Sequence, residues 1–97
     1  MNETRQSIND WSQETFGPRF PLEIAIRMNH EVAELLSALD SGDREGALSE
    51  CADIRIMLAQ IEKIFGMGDG DPHVDAKMKI NRSRTWSNKN GKMQHDD

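Results

Sequence analysis

The stretch from Asn29 to Leu58, "NHEVAELLSALDSGDREGALSECADIRIML", decides the fold. Apolar residues recur at helical spacing on both sides of a break. Met28, Val32, Leu35, Leu36 and Leu39 make one stripe; Ala47, Cys51, Ile54, Leu58, Ile61 and Phe65 make another. Between them "DSGD" interrupts the period, with Gly42 as the turn. The pattern predicts two helices, from about Pro21 to Asp40 and from about Asp43 to Phe65, folded as an antiparallel hairpin. Pro21 suits a first helical turn, because the missing N–H would have no partner there.

Each helix carries an acidic pair at the same spacing, Glu31 with Glu34 and Glu50 with Asp53. Residues three apart lie on nearly one side of a helix, about 4.5 Å apart along its axis. Folding about Gly42 sets Glu31 level with Asp53 and Glu34 level with Glu50, so that all four carboxylates border one groove. Neutralising charge is scarce. The positions four residues C-terminal to the acids are Leu35, Ala38, Ile54 and Met57, and only Arg27 and His30, four residues N-terminal to Glu31 and Glu34, offer a nearby cation. Clustered like charges repel, and partly buried ones are costly unless compensated. Protonation relieves the cost; so does a hard divalent cation with oxygen ligands, Mg²⁺ foremost. A di-iron bundle would want a histidine three residues after a glutamate, and none is so placed. A single pair of this kind is ordinarily solvated surface, and the bland reading of the whole cluster is a groove neutralised by Arg or Lys from elsewhere.

Outward from the hairpin the chain remains helical. A first helix runs from about residue 3 to 15 and stops at "FGP", with Ile8, Trp11 and Phe16 as its large apolar groups. "GMGDGDP" ends the third helix, with Asp71 as N-cap and Pro72 in the first turn of a fourth that reaches about Trp86. "SNKNGKMQHDD" shows no periodicity and reads as a loop. The expectation is an all-α fold, a helical domain over residues 1–86 with a flexible tail over 87–97, and no strands or repeats.

With 97 residues, 36% of them hydrophobic, the chain is one domain with a modest core, which favours a homo-oligomer. No apolar run approaches the roughly 18 residues of a membrane span, and no secretory signal opens the chain, so no membrane partner is expected. The single cysteine, Cys51, reads as a small core side chain in a cytoplasmic protein. The net charge of −5 is uneven: residues 1–76 hold 6 basic and 15 acidic side chains, and residues 77–95 hold 6 basic and none acidic. Such a chain could bind metal with one part and phosphate with the other, or the two parts could simply attract each other.

Glu-x-x-Glu, fifteen residues, then Glu-x-x-Asp resembles the signature of the MazG-like all-α nucleotide pyrophosphohydrolases. "DWSQETFG" resembles the end of that family's N-terminal helix, and "KMKINRSRTW" resembles its Lys-x-x-x-Asn-x-x-Arg-x-Trp segment through Lys77, Asn81, Arg84 and Trp86. The resemblance implies a four-helix fold in dimers or dimers of dimers. It implies Mg²⁺, with Mn²⁺ as a substitute, held by Glu31, Glu34, Glu50 and Asp53, and cleavage of a nucleoside triphosphate to monophosphate and pyrophosphate. Lys77 and Asn81 correspond to phosphate-contacting positions, and Arg84 joins them. Many members carry a glutamate directly before the first ligand, where this chain has His30. The short single-domain form resembles phage-type members, those called MazZ among them, which act on guanine nucleotides; that points to (d)GTP, in the host cytoplasm if the chain is phage-encoded.

Lys77, Asn81 and Arg84 recur at i, i+4 and i+7, one face of the fourth helix, suited to clamping phosphates. Trp11 and Phe16 are candidates to border the base, although a Trp in a small helical protein is usually core or interface. His30 is either a neighbour of the metal or a satisfied groove histidine. Trp86 reads as helix-end packing, Lys79 and Arg82 as solvated charges, and His73 and His95 as exposed polar residues. The rival reading is a non-catalytic helical protein that contacts nucleic acid through residues 77–92; it leaves the acids unexplained and sets an acidic body against the phosphates. An HD-type metal phosphohydrolase lacks its histidines, since His95–Asp96 is the sole such pair.

Overall fold

The computed structural model describes residues 2–84, 86–89 and 92–95, with side chains through Arg84. Among them are four helices: α1 (Arg5–Phe16), α2 (Pro21–Ser41), α3 (Arg44–Ile64) and α4 (Pro72–Ser83). Local chemistry fixes their ends. Thr4 caps α1 by accepting from Ser7 N at 3.0 Å, and Ser7 Oγ accepts in return from Thr4 N at 2.8 Å. Gly42 ends α2 in the left-handed region at φ 74°, where its N–H reaches the Ala38 and Leu39 carbonyls. Asp43 then caps α3 by accepting from Gly46 N at 2.9 Å. A side chain at position 46 would collide with that carboxylate, which explains a glycine inside the first turn.

The short turn lays α2 and α3 side by side, and α1 packs on α3, making α3 the central helix. The buried centre is small: Ile24, Ala47 and Ala59, with the polar side chains of Ser12 and Gln60. Much of the apolar periodicity therefore stays uncovered in one chain. Leu36 and Leu39 are more than 60% exposed and Phe65 is 74% exposed. Cys51, expected in the core, is also exposed. The physical reason is that α1 is too polar to cover the stripes, having few large apolar groups to offer.

α4 packs on none of the other helices among the described residues, and no side chain on it is fully buried. Its N-terminal end is tethered by Arg5. That guanidinium donates to Glu62 Oε1 at 3.1 Å, to the Gly68 carbonyl at 2.9 Å, to the Gly70 carbonyl at 2.6 Å, and to Asp71. Asp71 occupies the expected cap position but makes no cap hydrogen bond, because its carboxylate is committed to Arg5.

α4 ends at Ser83, short of Trp86, and the loop expected after it is replaced by backbone pairing. Trp86–Lys89 runs antiparallel to Lys92–His95, with Lys89 opposite Lys92. The signal was present: Asn-Gly separates the two segments in the sequence, the dipeptide most favoured between hairpin strands. The body nevertheless remains all-α. The side chains of Trp86 and His95 lie outside the described residues, as do Asp96 and Asp97. No helix among the described residues is long and apolar enough to cross a membrane.

Candidate metal centre and adjoining cleft

Glu31 projects from α2, and Glu50 and Asp53 from α3, into the seam between the two helices. One carboxylate oxygen from each lies within 4.8 Å of the others, and all three side chains are half-buried. Glu34 is exposed and stands outside this trio, yet close enough to hydrogen-bond and repel the Glu50 carboxyl. With Glu50 it lines a shallow recess toward the hairpin turn, together with Ser37, Ser41 and Asp43. The sequence expectation of four level acids becomes three that converge and one at their solvent edge.

Among the described residues no Lys or Arg forms an ion pair with Glu31, Glu34, Glu50 or Asp53; the cations that are paired serve Glu62, Asp71, Glu23 and Glu45. The strain falls on Glu50. Hydrogen bonding with Glu31 first, then burial, then repulsion by Glu31 and the influence of Glu34, push its carboxyl up to about 7. Protonation would relieve part of the repulsion; Glu50 Oε2 is buried without a hydrogen-bond partner among the described residues. A buried carboxylate oxygen with no donor is an orphan that a cation would satisfy. The donor set contains oxygen alone, which suits a hard divalent ion such as Mg²⁺ or Mn²⁺.

Beside the acids lies an open cleft of about 620 Å³, within the range of small-molecule sites. Arg27, on α2, and Met57, on α3, line it, each one helical turn from an acid of the cluster, Glu31 and Asp53 respectively. Its far wall is aromatic. Trp11 and Phe16 meet edge to face with ring centroids 5.5 Å apart, and the Arg19 guanidinium sits 5.4 Å from the Phe16 centroid. Both rings are more than half exposed, so a planar ligand can reach them. Gln60, from the buried centre, forms part of the wall.

The remaining sequence candidates stand apart. Lys77 and Arg84 are exposed and Asn81 is half-buried, all on or just after α4, which packs on neither α2 nor α3. Among the described residues, the cations lining the cleft are Arg19 and Arg27. His30 is exposed and is not among the converging groups. Sequence reasoning missed Gln60 and its partner Ser12; the available signal was a polar residue between Ala59 and Ile61, inside an apolar helical stretch.

No family model matches the chain, and no solved structure matches it. It is similar to a protein of Salmonella phage PMBT28 named dATP/dGTP diphosphohydrolase, 33% identical over 96 residues. The alignment takes in 96% of this chain and 30% of that protein, so the chain spans less than a third of the length of the curated relative it matches.

Proposed function

We propose that this chain is a divalent-metal-dependent pyrophosphohydrolase of the MazG-like type, acting on purine nucleoside triphosphates with (d)GTP favoured. The observation that carries the reading is the half-buried trio Glu31, Glu50 and Asp53, with Glu50 Oε2 unpartnered, one helical turn from Arg27 and Met57 in the wall of an aromatic-lined cleft. A relative named for dATP and dGTP supports a purine substrate.

In this reading Glu31, Glu34, Glu50 and Asp53 hold Mg²⁺, with Mn²⁺ as a substitute, Glu34 closing the site from its exposed position. When bound, the metal supplies positive charge to the phosphate oxygens and lowers the pKa of water. The chain's own residues do the rest by positioning and charge, which is most of what phosphoryl transfer requires. Arg27 meets the phosphates at the cleft mouth, and Trp11 and Phe16 border the base. Lys77, Asn81 and Arg84 add a phosphate clamp in a homo-oligomer, a dimer or dimer of dimers. Support for assembly comes from the exposed leucines of α2 and from α4, which packs on none of the other described helices while the body is acidic.

The test is to incubate the purified chain with a panel of ribo- and deoxyribonucleoside triphosphates and Mg²⁺, reading monophosphate and pyrophosphate. The reading expects both products in equal amounts from dGTP, and none in chelator. Orthophosphate with diphosphate, or no turnover of any nucleotide, contradicts it.

A further inference from the structure

We infer that Gln60 reads the edge of the nucleotide base, donating from Nε2 to a ring nitrogen of a purine, and that Ser12 is the positioning residue that holds its amide in the reading orientation. The inference rests on the nucleotide reading above and deepens it.

Gln60 is 4% exposed and Ser12 is 2% exposed, at the junction of α1 and α3. Two polar side chains so deep in a small apolar centre need a reason, because each must find hydrogen bonds there. The Ser12 hydroxyl donates to Gln60 Oε1 at 3.2 Å. That satisfies the oxygen and fixes the amide, leaving Nε2 with its two hydrogens. Nε2 has no acceptor among the described residues. It is also not sealed away, since the single sealed and unpartnered side-chain oxygen or nitrogen among them is Glu50 Oε2. Gln60 lines the cleft whose wall also holds Trp11 and Phe16, which is where a spare amide donor of this side chain would be offered. A leucine would serve a purely structural role at this position better than half a satisfied amide.

The spacing along α3 fits a nucleotide. Asp53, Met57 and Gln60 recur at i, i+4 and i+7, so they follow one face of the helix. Asp53 and Gln60 are about 10 Å apart along its axis, two turns. Phosphates held at the acid cluster then leave the base beside Gln60 and the aromatic wall. A fixed donor selects an acceptor. N7 is an acceptor shared by adenine and guanine and absent from pyrimidines, so one amide favours both purines without separating them. Leaving a built donor unpaired is what makes a polar pocket reject the analogue that lacks its partner.

The experiment compares dGTP with 7-deaza-dGTP, in which a C–H replaces N7, on the parent chain, Gln60→Met and Gln60→Glu. Gln60→Met keeps length and removes the donor; Gln60→Glu also removes the donor but keeps an acceptor for Ser12, which guards against a folding defect. Inhibition by tripolyphosphate, which has no base, is measured in parallel. The parent should prefer dGTP by about tenfold in kcat/KM. Both variants should lose that preference by falling on dGTP alone, with tripolyphosphate inhibition unchanged. Ser12→Ala should reduce the preference by a smaller factor. A parent that treats the two nucleotides alike, or variants that weaken both nucleotides and tripolyphosphate together, overturns the role of Gln60. A parent that hydrolyses no nucleoside triphosphate overturns the underlying reading as well, which separates the two failures.

Discussion

The α2–α3 hairpin presses charges of one sign against one another, whereas α4 carries exposed charges of the opposite sign on a helix that packs on none of the other described helices. In the hairpin, Glu31, Glu50 and Asp53 converge in a half-buried seam without an ion pair to any described Lys or Arg. On α4, Lys77 and Lys79 are exposed on a helix that is tethered at its N-terminal end by Arg5. The two regions teach the same lesson from opposite sides. Among the described residues neither set of charges is neutralised by an ion pair, which is why the proposed function gives the hairpin a metal ion and α4 a phosphate.

The largest effect should come from the hairpin. Glu50→Gln preserves size and removes one carboxylate from the centre of the trio, and kcat for dGTP at saturating Mg²⁺ should fall by at least about a hundredfold. Near-normal turnover would mean that the seam is only a strained surface.

α4 should matter less, and uniformly. Lys77→Ala and Asn81→Ala should each lower kcat/KM by roughly ten- to a hundredfold, the worth of one charge-assisted bond. The ratio among dGTP, dATP and dCTP should barely move, while Trp11→Ala should shift it. If Lys77→Ala alters base preference more than Trp11→Ala does, the assignment of phosphates and base is reversed. If it alters nothing, α4 is no part of the site and the contrast with the hairpin loses its functional meaning.

Legibility in the sequence follows the same division. The hairpin was readable because its signals are local: a helical apolar period, a glycine turn, an aspartate cap and acids at matched spacing all lie within thirty consecutive residues. The packing was not readable. Cys51, Leu36 and Phe65 sit in good apolar stripes, yet a stripe does not say whether its cover comes from the same chain. The level pairing of four acids was too regular, because side-chain reach, not only axial height, decides which oxygens meet, and Glu34 falls outside. Arg5 and Gln60 escaped because their partners lie 57 and 48 residues away, at Glu62 and Ser12. The register of the C-terminal strands was announced by Asn-Gly, but a four-residue strand offers too short an alternation to read alone.

A stability measurement sharpens the comparison further. Asp53→Asn removes one repelling charge, so in chelator it should melt several degrees higher than the parent, and the gain on adding Mg²⁺ should shrink. A variant less stable than the parent in chelator would identify Asp53 as the partner of a cation instead.

A smaller effect is expected from pH. The Glu50 carboxyl is raised to about 7 from an ordinary 4.5, so the folded chain holds a proton that the unfolded chain gives up. Its contribution is complete below about 4.5 and is lost as pH rises through 7. In chelator, the melting temperature of the parent should therefore decline relative to that of Glu50→Gln between pH 5 and about 8. A difference that stays flat or grows with pH contradicts the raised Glu50 carboxyl.

The most direct test of the metal centre is a titration of the chain with Mn²⁺ at neutral pH, in the absence of nucleotide, following the loss of the free-ion electron paramagnetic resonance signal. The parent should bind Mn²⁺ in competition with Mg²⁺, and Glu50→Gln should bind at least about tenfold more weakly, in keeping with the loss of one ligand charge. Equal binding by parent and variant, or no binding by a folded parent, contradicts the account.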